Sequence, residues 1–176
     1  ALGLRGSLGR AARFAAIAAI PMVLVGAFLG DGLAASWALI PGVLVAPFVE
    51  EVFFRGCLVA LPVRLGGLAF WPVAFLAGAL FGASHVPWTS ALDWTSLPTF
   101  LVTGAGGVWF AWLLRVSGWS LWVPLCMNAA MNLAWMAFGV SENAVGGLWA
   151  NLGRAGTIAL AIVLAKVTLE PERPPE

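Results

Sequence analysis

Charged side chains are scarce in this sequence. Asp, Glu, Lys and Arg make up 10% of the residues, whereas 61% are hydrophobic, and a soluble domain typically carries about 25% charged residues. Such a chain has too little polar surface to cover a water-soluble globule, so we expect lipid to solvate much of its exterior. The net charge of +1 gives no indication of nucleic-acid binding.

Cysteine and histidine are almost absent as well. The two cysteines, Cys57 and Cys126, lie in apolar stretches, where small buried hydrophobic residues are expected rather than a disulfide framework or nucleophiles. The single histidine, His85, leaves no conventional zinc site. We therefore predict no cofactor, and the sequence leaves open whether the protein needs a metal.

The apolar residues form long runs, and a helix needs about 20 residues to cross a bilayer. The sequence predicts an all-α, polytopic membrane helix bundle with about six transmembrane helices. We expect a single transmembrane domain over residues 1–169 and a polar, disordered tail at 170–176. The predicted spans are residues 14–29, 37–63, 68–85, 98–116, 119–140 and 153–169.

Prolines and small residues refine this prediction. Pro41 and Pro47 are expected to kink the second span or to delay its helical start. In the fourth span, small residues are expected to permit close helix packing, and Asn151 is assigned to the connection before the last span. The small residues are Gly104, Gly106 and Gly107.

Basic residues predict the orientation, because cytoplasmic loops carry the excess of Lys and Arg. An even number of spans with both termini cytoplasmic places most cations on one side, and Arg154 alone on the other side with Asp31, Asp93 and Glu142. The cations of the cytoplasmic side are Arg5, Arg10, Arg13, Arg64, Arg115, Lys166 and Arg173.

Two adjacent carboxylates, Glu50 and Glu51, lie inside the second span. Ionisable residues within a span usually mark a function or a buried pair. Glu51 and Arg55 are four residues apart and can pair on one helix face, whereas Glu50 lies about 100° away and can face a cavity as a general base or acid. The alternative is that all three form a structural ion-pair cluster.

His85 and two asparagines are further polar residues in apolar surroundings. A lone histidine at a helix end can be catalytic, or it can be a hydrogen-bonded structural residue. Asn128 and Asn132 share one helix face, where interhelical hydrogen bonding is the alternative to a catalytic role. Glu50 and Asn128 fall near mid-membrane, whereas His85 falls near the outer end of its span.

These residues belong to three spaced motifs, each on its own span. Each motif contains two residues that are four positions apart and therefore share one face of a helix, and in the first motif these are Glu51 and Arg55. The motifs are Glu50-Glu51-x-x-x-Arg55, Phe81-x-x-x-His85 and Asn128-x-x-x-Asn132.

This set resembles the CAAX protease and bacteriocin-processing (CPBP, or Abi) family of intramembrane endopeptidases, which includes the type II prenyl endopeptidases. The family pattern is EExxxR, FxxxH and HxxxN on separate transmembrane helices. The run GWSLWVP at 118–124 precedes the third motif, as a Gly-Ser-Leu-x-x-Pro-like run does in the family. The resemblance covers a CPBP-like core at about 37–138.

The resemblance implies roles for the motif residues. Glu50 would be the base that activates water, His85 would help to hold that water, and Asn132 would donate to the developing oxyanion. Glu51 and Arg55 would hold Glu50 in position.

One position departs from the family, which has histidine where this chain has Asn128. Amides bind the usual catalytic metals poorly compared with imidazole. Asn128 would instead supply a second amide donor to the oxyanion. The alternative is that the departure reflects weak activity, a narrowed substrate range or lost catalysis.

We therefore expect an intramembrane endopeptidase that acts on a membrane-associated protein or peptide in the lipid bilayer. The Arg-rich, Ala- and Gly-rich composition fits a GC-rich bacterial genome and hence the inner membrane, which makes prenylated substrates the less expected kind. One alternative is a non-catalytic relative that binds membrane peptides as an immunity or scaffold protein. Another is a transporter or channel with a proton relay. The oligomeric state is open.

Other polar residues are weaker candidates. Ser84 lies beside His85 but has no motif typical of a serine nucleophile. Asp31 and Asp93 are expected to be solvated loop charges.

Overall fold

The computed structural model describes residues 3–4, 6–33, 36–37, 39–88, 93–141 and 143–169. All regular structure in these ranges is helical. The predicted tail at 170–176 lies outside the described residues. The helices are α1 (Leu8–Ala18), α2 (Ile20–Leu29), α3 (residues 39–64), α4 (Phe70–Ser84), α5 (Ser96–Val116), α6 (Trp122–Ala137) and α7 (Leu148–Thr168).

Helices α1 and α2 form a bent pair. Their axes differ by 46°, and the bend follows from Pro21 in the first turn of α2, which has no N–H to continue the hydrogen bonding of α1. With this pair counted once, the described helices form the predicted membrane bundle of about six helices. Helices α5 and α7 are each long and apolar enough to cross a membrane, the bent pair is a third such span when it is counted as one, and α4 is a shorter apolar helix.

Helix α3 alternates between π-helical and α-helical hydrogen bonding. Pro41–Val45 and Glu51–Ala60 are π-helical, whereas Ala46–Glu50 and Leu61–Arg64 are α-helical. Pro41 therefore begins a π-helical segment, and the helix continues through it. Because π-helical turns are rare and occur frequently at functional sites, the change in winding between the two adjacent glutamates indicates a specialised part of the helix.

Glycines bring α4 and α5 into close contact. A Cβ atom at Gly82 would lie 2.5 Å from the carbonyl oxygen of Phe100, and one at Gly107 would lie 2.9 Å from the Cα of Gly78. A Cβ at Gly104 would approach the carbonyl oxygen of Gly78 at 3.3 Å. The predicted packing role is thus confirmed for Gly104 and Gly107.

The same prediction is wrong for Gly106. Within the described part of the chain, no atom outside its own helix and chain neighbours would lie within 4 Å of a Cβ at this position. Gly106 faces a cavity instead of a neighbouring helix.

The last helix begins earlier than predicted, at Leu148. Asn151, which we assigned to the preceding connection, lies within α7. Its Nδ2 donates to the carbonyl oxygens of Val145 (2.9 Å) and Gly147 (3.0 Å). These bonds satisfy the amide without water, so a polar residue that is typical of a loop is accommodated inside the helix.

Two ends of the bundle can be recognised from side-chain contacts. The guanidinium of Arg64 lies 5.7 Å from the ring centre of Trp119, and that of Arg115 lies 4.6 Å from the ring centre of Phe70. These contacts place the ends of α3 and α5 beside the starts of α4 and α6. We call this the basic end.

At the opposite end, the N–H of Asp31 donates to the carbonyl of Phe138 at 3.0 Å. Asp93 is exposed there, and its Oδ1 accepts from the Thr95 hydroxyl (2.6 Å) and N–H (2.9 Å) just before α5. The hydrogen bond from the Thr95 hydroxyl lowers the pKa of Asp93 below its ordinary value.

Candidate active site

Glu51 and Arg55 form an ion pair inside the bundle. Their side chains are 0% and 1% exposed, and Glu51 Oε2 lies 3.2 Å from Arg55 Nε. The predicted pairing at a spacing of four residues is therefore confirmed. Since breaking a buried pair leaves an uncompensated charge, this pair is expected to be important for stability.

Aromatic rings surround the guanidinium of Arg55. Its central carbon lies 4.4 Å from the ring centre of Phe81 and 5.0 Å from that of Phe110. None of its three nitrogens has a hydrogen-bond acceptor among the described residues. The positive charge is thus held by the Glu51 carboxylate and by the negative faces of the rings.

Asn128 bridges the two adjacent carboxylates. Its Nδ2 donates to Glu50 Oε2 at 3.0 Å and to Glu51 Oε1 at 2.8 Å. An amide NH₂ has two hydrogens, so these two bonds use the whole donor capacity of Asn128. A neutral donor therefore sits between two groups that would otherwise repel each other.

A cavity of about 610 Å³ lies beside these residues. Its wall contains Glu50, His85, Asn128 and Asn132, so the structure brings all four predicted catalytic residues to one space. Glu51 lies behind this wall, as the helical spacing predicted. The sequence placed Glu50 near mid-membrane and His85 near the outer end of its span, and one cavity reaches both residues.

His85 follows the last turn of α4, and its ring centre lies 4.5 Å from that of Phe81. Its Nδ1 is 2.8 Å from the carbonyl oxygen of Phe81. A carbonyl oxygen can only accept, so this bond requires a hydrogen on Nδ1 and leaves Nε2 as the acceptor of a neutral imidazole. The backbone therefore selects a tautomer that can receive a hydrogen bond from water.

The neighbouring Ser84 hydroxyl donates to the same Phe81 carbonyl at 2.8 Å. Ser84 is exposed and does not line the cavity. The two cysteines are free thiols that also lie outside the cavity wall.

Asn132 extends the cavity wall by one turn from Asn128. Its Nδ2 donates to the carbonyl of Gly42 at 3.0 Å, in the first π-helical segment of α3. One hydrogen of the amide is used in this bond, and the other has no acceptor among the described residues. The second hydrogen is available to a bound group.

The sequence did not identify the contribution of α7. Arg154 and Asn151 line the same cavity, together with apolar residues from other helices. The signal for Arg154 was its isolation, because it was the only cation predicted on its side of the membrane. The apolar lining includes Trp109, Met131, Trp135 and Ile158.

No three side chains of His, Cys, Asp or Glu come together as a set of metal ligands within the described ranges. The site chemistry available from the chain itself is therefore carboxylate, imidazole, amide and guanidinium chemistry.

One comparison with known proteins identifies the family of this chain. The model of the family described as "Type II CAAX prenyl endopeptidase Rce1-like" matches residues 32–134, more than half of the 176-residue chain. The match contains all three motifs. Neither a search of curated proteins nor a search of solved structures found a match. The chain belongs to the Rce1-like family of type II CAAX prenyl endopeptidases.

Proposed function

We propose that this chain is an intramembrane endopeptidase in which Glu50 activates water to hydrolyse a peptide bond of a membrane-associated protein or peptide. Family membership points to a membrane protease in general. The observation that carries the finer proposal is that Glu50, His85 and Asn132 line one cavity of about 610 Å³, which has room for water and a peptide segment.

In the first step, the Glu50 carboxylate takes a proton from water, and the water oxygen bonds to the carbonyl carbon of the substrate. Nε2 of His85 accepts a hydrogen bond from the second hydrogen, which stays on the water oxygen, and so holds the water in place. The carbonyl oxygen gains the negative charge, and the free hydrogen of Asn132 donates to it.

In the second step, the tetrahedral intermediate collapses and the carbon–nitrogen bond breaks. The protonated Glu50 returns its proton to the leaving nitrogen, which departs as an amine. The other product ends in a carboxyl group that holds the water oxygen. No bond to the protein forms, so Glu50 is regenerated in the same turnover.

The contacts of Asn128 support a different role from the one expected. Both of its hydrogens have carboxylate acceptors, so it is better placed to orient Glu50 than to donate to an oxyanion. In this proposal, Asn128 replaces the family histidine as a positioning residue, and Arg55 balances the charge of Glu51 behind it.

We further propose that the protein resides in a bacterial inner membrane with the basic end in the cytoplasm. The contacts of Arg64 and Arg115 at that end support this orientation. The cavity residues His85 and Arg154 then lie nearer the outer surface.

A peptide-binding relative without catalysis is the second candidate, and Asn128 in the place of histidine favours it. Pairing of Glu50, His85 and Asn132 with other side chains in a dry core would favour that candidate. Their shared cavity favours hydrolysis instead.

The experiment is a mass-spectrometric survey of peptide termini in membranes of the native host. It compares cells that carry wild type, Glu50→Gln or Asp31→Asn at matched protein levels. Asp31 is exposed and lies outside the cavity, so its variant controls for the loss of a carboxylate. The proposal predicts that a few termini disappear only with Glu50→Gln. Identical profiles for all three proteins would contradict it.

A further inference from the structure

Arg154 is a cation in the wall of the candidate active site that the proposed reaction does not use. It lies in the second turn of α7, is half-buried and lines the same cavity as Glu50. Helix α7 lies beyond the family match at 32–134. The family motifs therefore give no role to this residue.

The guanidinium is fixed by three neighbours. One terminal nitrogen, Nη1, donates to Asn151 Oδ1 at 3.0 Å, and the other, Nη2, donates to the carbonyl of Ala144 at 2.8 Å. The central carbon lies 4.6 Å from the ring centre of Trp135. Asn151 is itself anchored by two backbone carbonyls. The cation is thus held in one orientation before any ligand arrives, which lowers the entropy lost on binding.

Arg154 has donors to spare. A guanidinium carries five N–H groups, and the contacts above use two of them. Among the residues that the structure describes, the ion pair is that of Glu51 with Arg55, and no carboxylate pairs with Arg154. An unpaired cation in a mainly apolar cavity attracts an anion strongly, since the surroundings screen the charge poorly.

We infer that Arg154, positioned by Asn151, forms a carboxylate-binding subsite of this cavity. The inference deepens the proposed function and rests on it, because it assigns the substrate class: peptides with a carboxylate near the scissile bond. A guanidinium presents two parallel N–H groups to a carboxylate. Glu50 lines the same cavity with the opposite charge, so the two groups would orient the substrate with its carboxylate towards Arg154.

The test measures binding without turnover. Purified Glu50→Gln protein in uncharged maltoside micelles is mixed with short apolar peptides in three matched forms. These carry a free C-terminal carboxylate, a C-terminal amide, or a C-terminal amide with one internal glutamate. The same peptides are offered to Glu50→Gln proteins that also carry Arg154→Gln, Arg154→Lys or the exposed control Arg10→Gln. Each protein yields an affinity ratio of carboxylate to amide, which does not depend on the fraction folded.

We expect a carboxylate form to bind at least roughly tenfold more tightly than the plain amide. Arg154→Gln should bring the ratio to about one, Arg154→Lys should keep part of it because the planar fork is lost, and Arg10→Gln should leave it unchanged. Preference for the free terminus or for the internal glutamate identifies which carboxylate is recognised. Equal binding of all three forms, or a ratio unchanged by Arg154→Gln, would overturn the inference.

Glu142 lies outside the described residues and needs its own control. Glu142→Gln should leave the ratio as it is. A carboxylate preference that appears only in this variant would make Glu142 the partner of Arg154 and would overturn the inference. If the carboxylate peptides bind more tightly than the amide but the wild-type protein cleaves none of them, the proposed hydrolysis is contradicted and the carboxylate subsite is not.

Discussion

Glu50 and Glu51 are adjacent in the chain but lie in two different regions of the molecule. Glu50 lines a cavity that it shares with His85 and Asn132. Glu51 is fully buried against Arg55. The two carboxylates are joined through the amide of Asn128. The Glu50 carboxylate therefore faces a space that a substrate can enter, whereas the Glu51 carboxylate is buried in an ion pair.

The difference follows from helix geometry and from the neighbours of each group. Consecutive residues on a helix point about 100° apart, so only one of the pair can face the cavity. Phe81 and Phe110 contact Arg55 and also line the cavity. Their rings thus separate the buried ion pair from the space where a substrate would bind.

The largest expected effect is the loss of peptide hydrolysis when Glu50, which lines the cavity, is replaced. Glu50→Gln should lower the rate of peptide hydrolysis by about 10²–10⁴-fold, because glutamine cannot take the proton from water. Its amide oxygen can still accept from Asn128, so thermal unfolding should stay close to wild type. Turnover and thermal unfolding are measured on the same preparation. A large loss of stability in Glu50→Gln would remove the distinction between the two carboxylates.

On the buried side, the main effect should be on stability. Arg55→Leu leaves the Glu51 carboxyl group buried without its counter-ion, so it should cost about 3–5 kcal/mol of unfolding free energy. The double variant Glu51→Leu/Arg55→Leu removes both charges and should recover much of that loss. Denaturant unfolding in micelles measures both. If the single and double variants are equally unstable, the ion pair does not explain the burial of these residues.

Substitutions at Asn128 test whether its hydrogen bonds to Glu50 and Glu51 position Glu50. Asn128→Leu removes both hydrogen bonds to the carboxylates and should reduce turnover by roughly 10-fold or more, since a hydrogen bond to a charged group contributes about 1.5–3 kcal/mol. Asn128→Asp should be worse, because it adds a third negative charge. Asn128→His restores the residue usual in the family and should retain activity. Wild-type turnover by the leucine variant would show that Asn128 does not position Glu50.

The smallest effects concern the helices that frame the cavity. Gly82→Ala should destabilise the bundle by about 1–3 kcal/mol, because its Cβ would lie 2.5 Å from the carbonyl oxygen of Phe100. Gly106→Ala is the matched control in the same pair of helices and should unfold within about 1 kcal/mol of wild type. Thermal unfolding of both variants checks this. Equal destabilisation would indicate that both helices are generally intolerant of substitution at glycine and that the close contact of Gly82 is not the cause.

Much of the fold could be predicted because its signals are local. Long apolar runs separated by glycine and polar residues predicted about six helical passes. The pairing of Glu51 with Arg55 followed from a spacing of four residues, which is a property of one helix. The roles that the family resemblance implied for Glu50, His85 and Asn132 require the three residues to lie close together, and the structure places all three in the wall of one cavity.

The remaining features depend on long-range contacts. Asn128 is more than seventy positions from the two carboxylates that it bridges, so its spacing on α6 gave no sign of its partners. The start of α7 was misplaced because Asn151, typical of a loop, is satisfied by backbone carbonyls. Because of that error, Arg154 was not included in the predicted site. The π-helical segments of α3 have no signature in the sequence.

Cleavage by purified protein tests the central claim most directly. Wild type, Glu50→Gln and Asp31→Asn are reconstituted in lipid vesicles and incubated with peptides that span the termini found in the survey. We predict that wild type and Asp31→Asn release the same product at similar rates, whereas Glu50→Gln releases it about 10²–10⁴-fold more slowly. If Glu50→Gln cleaves at the wild-type rate, Glu50 is not the group that activates water, and the proposed mechanism is wrong.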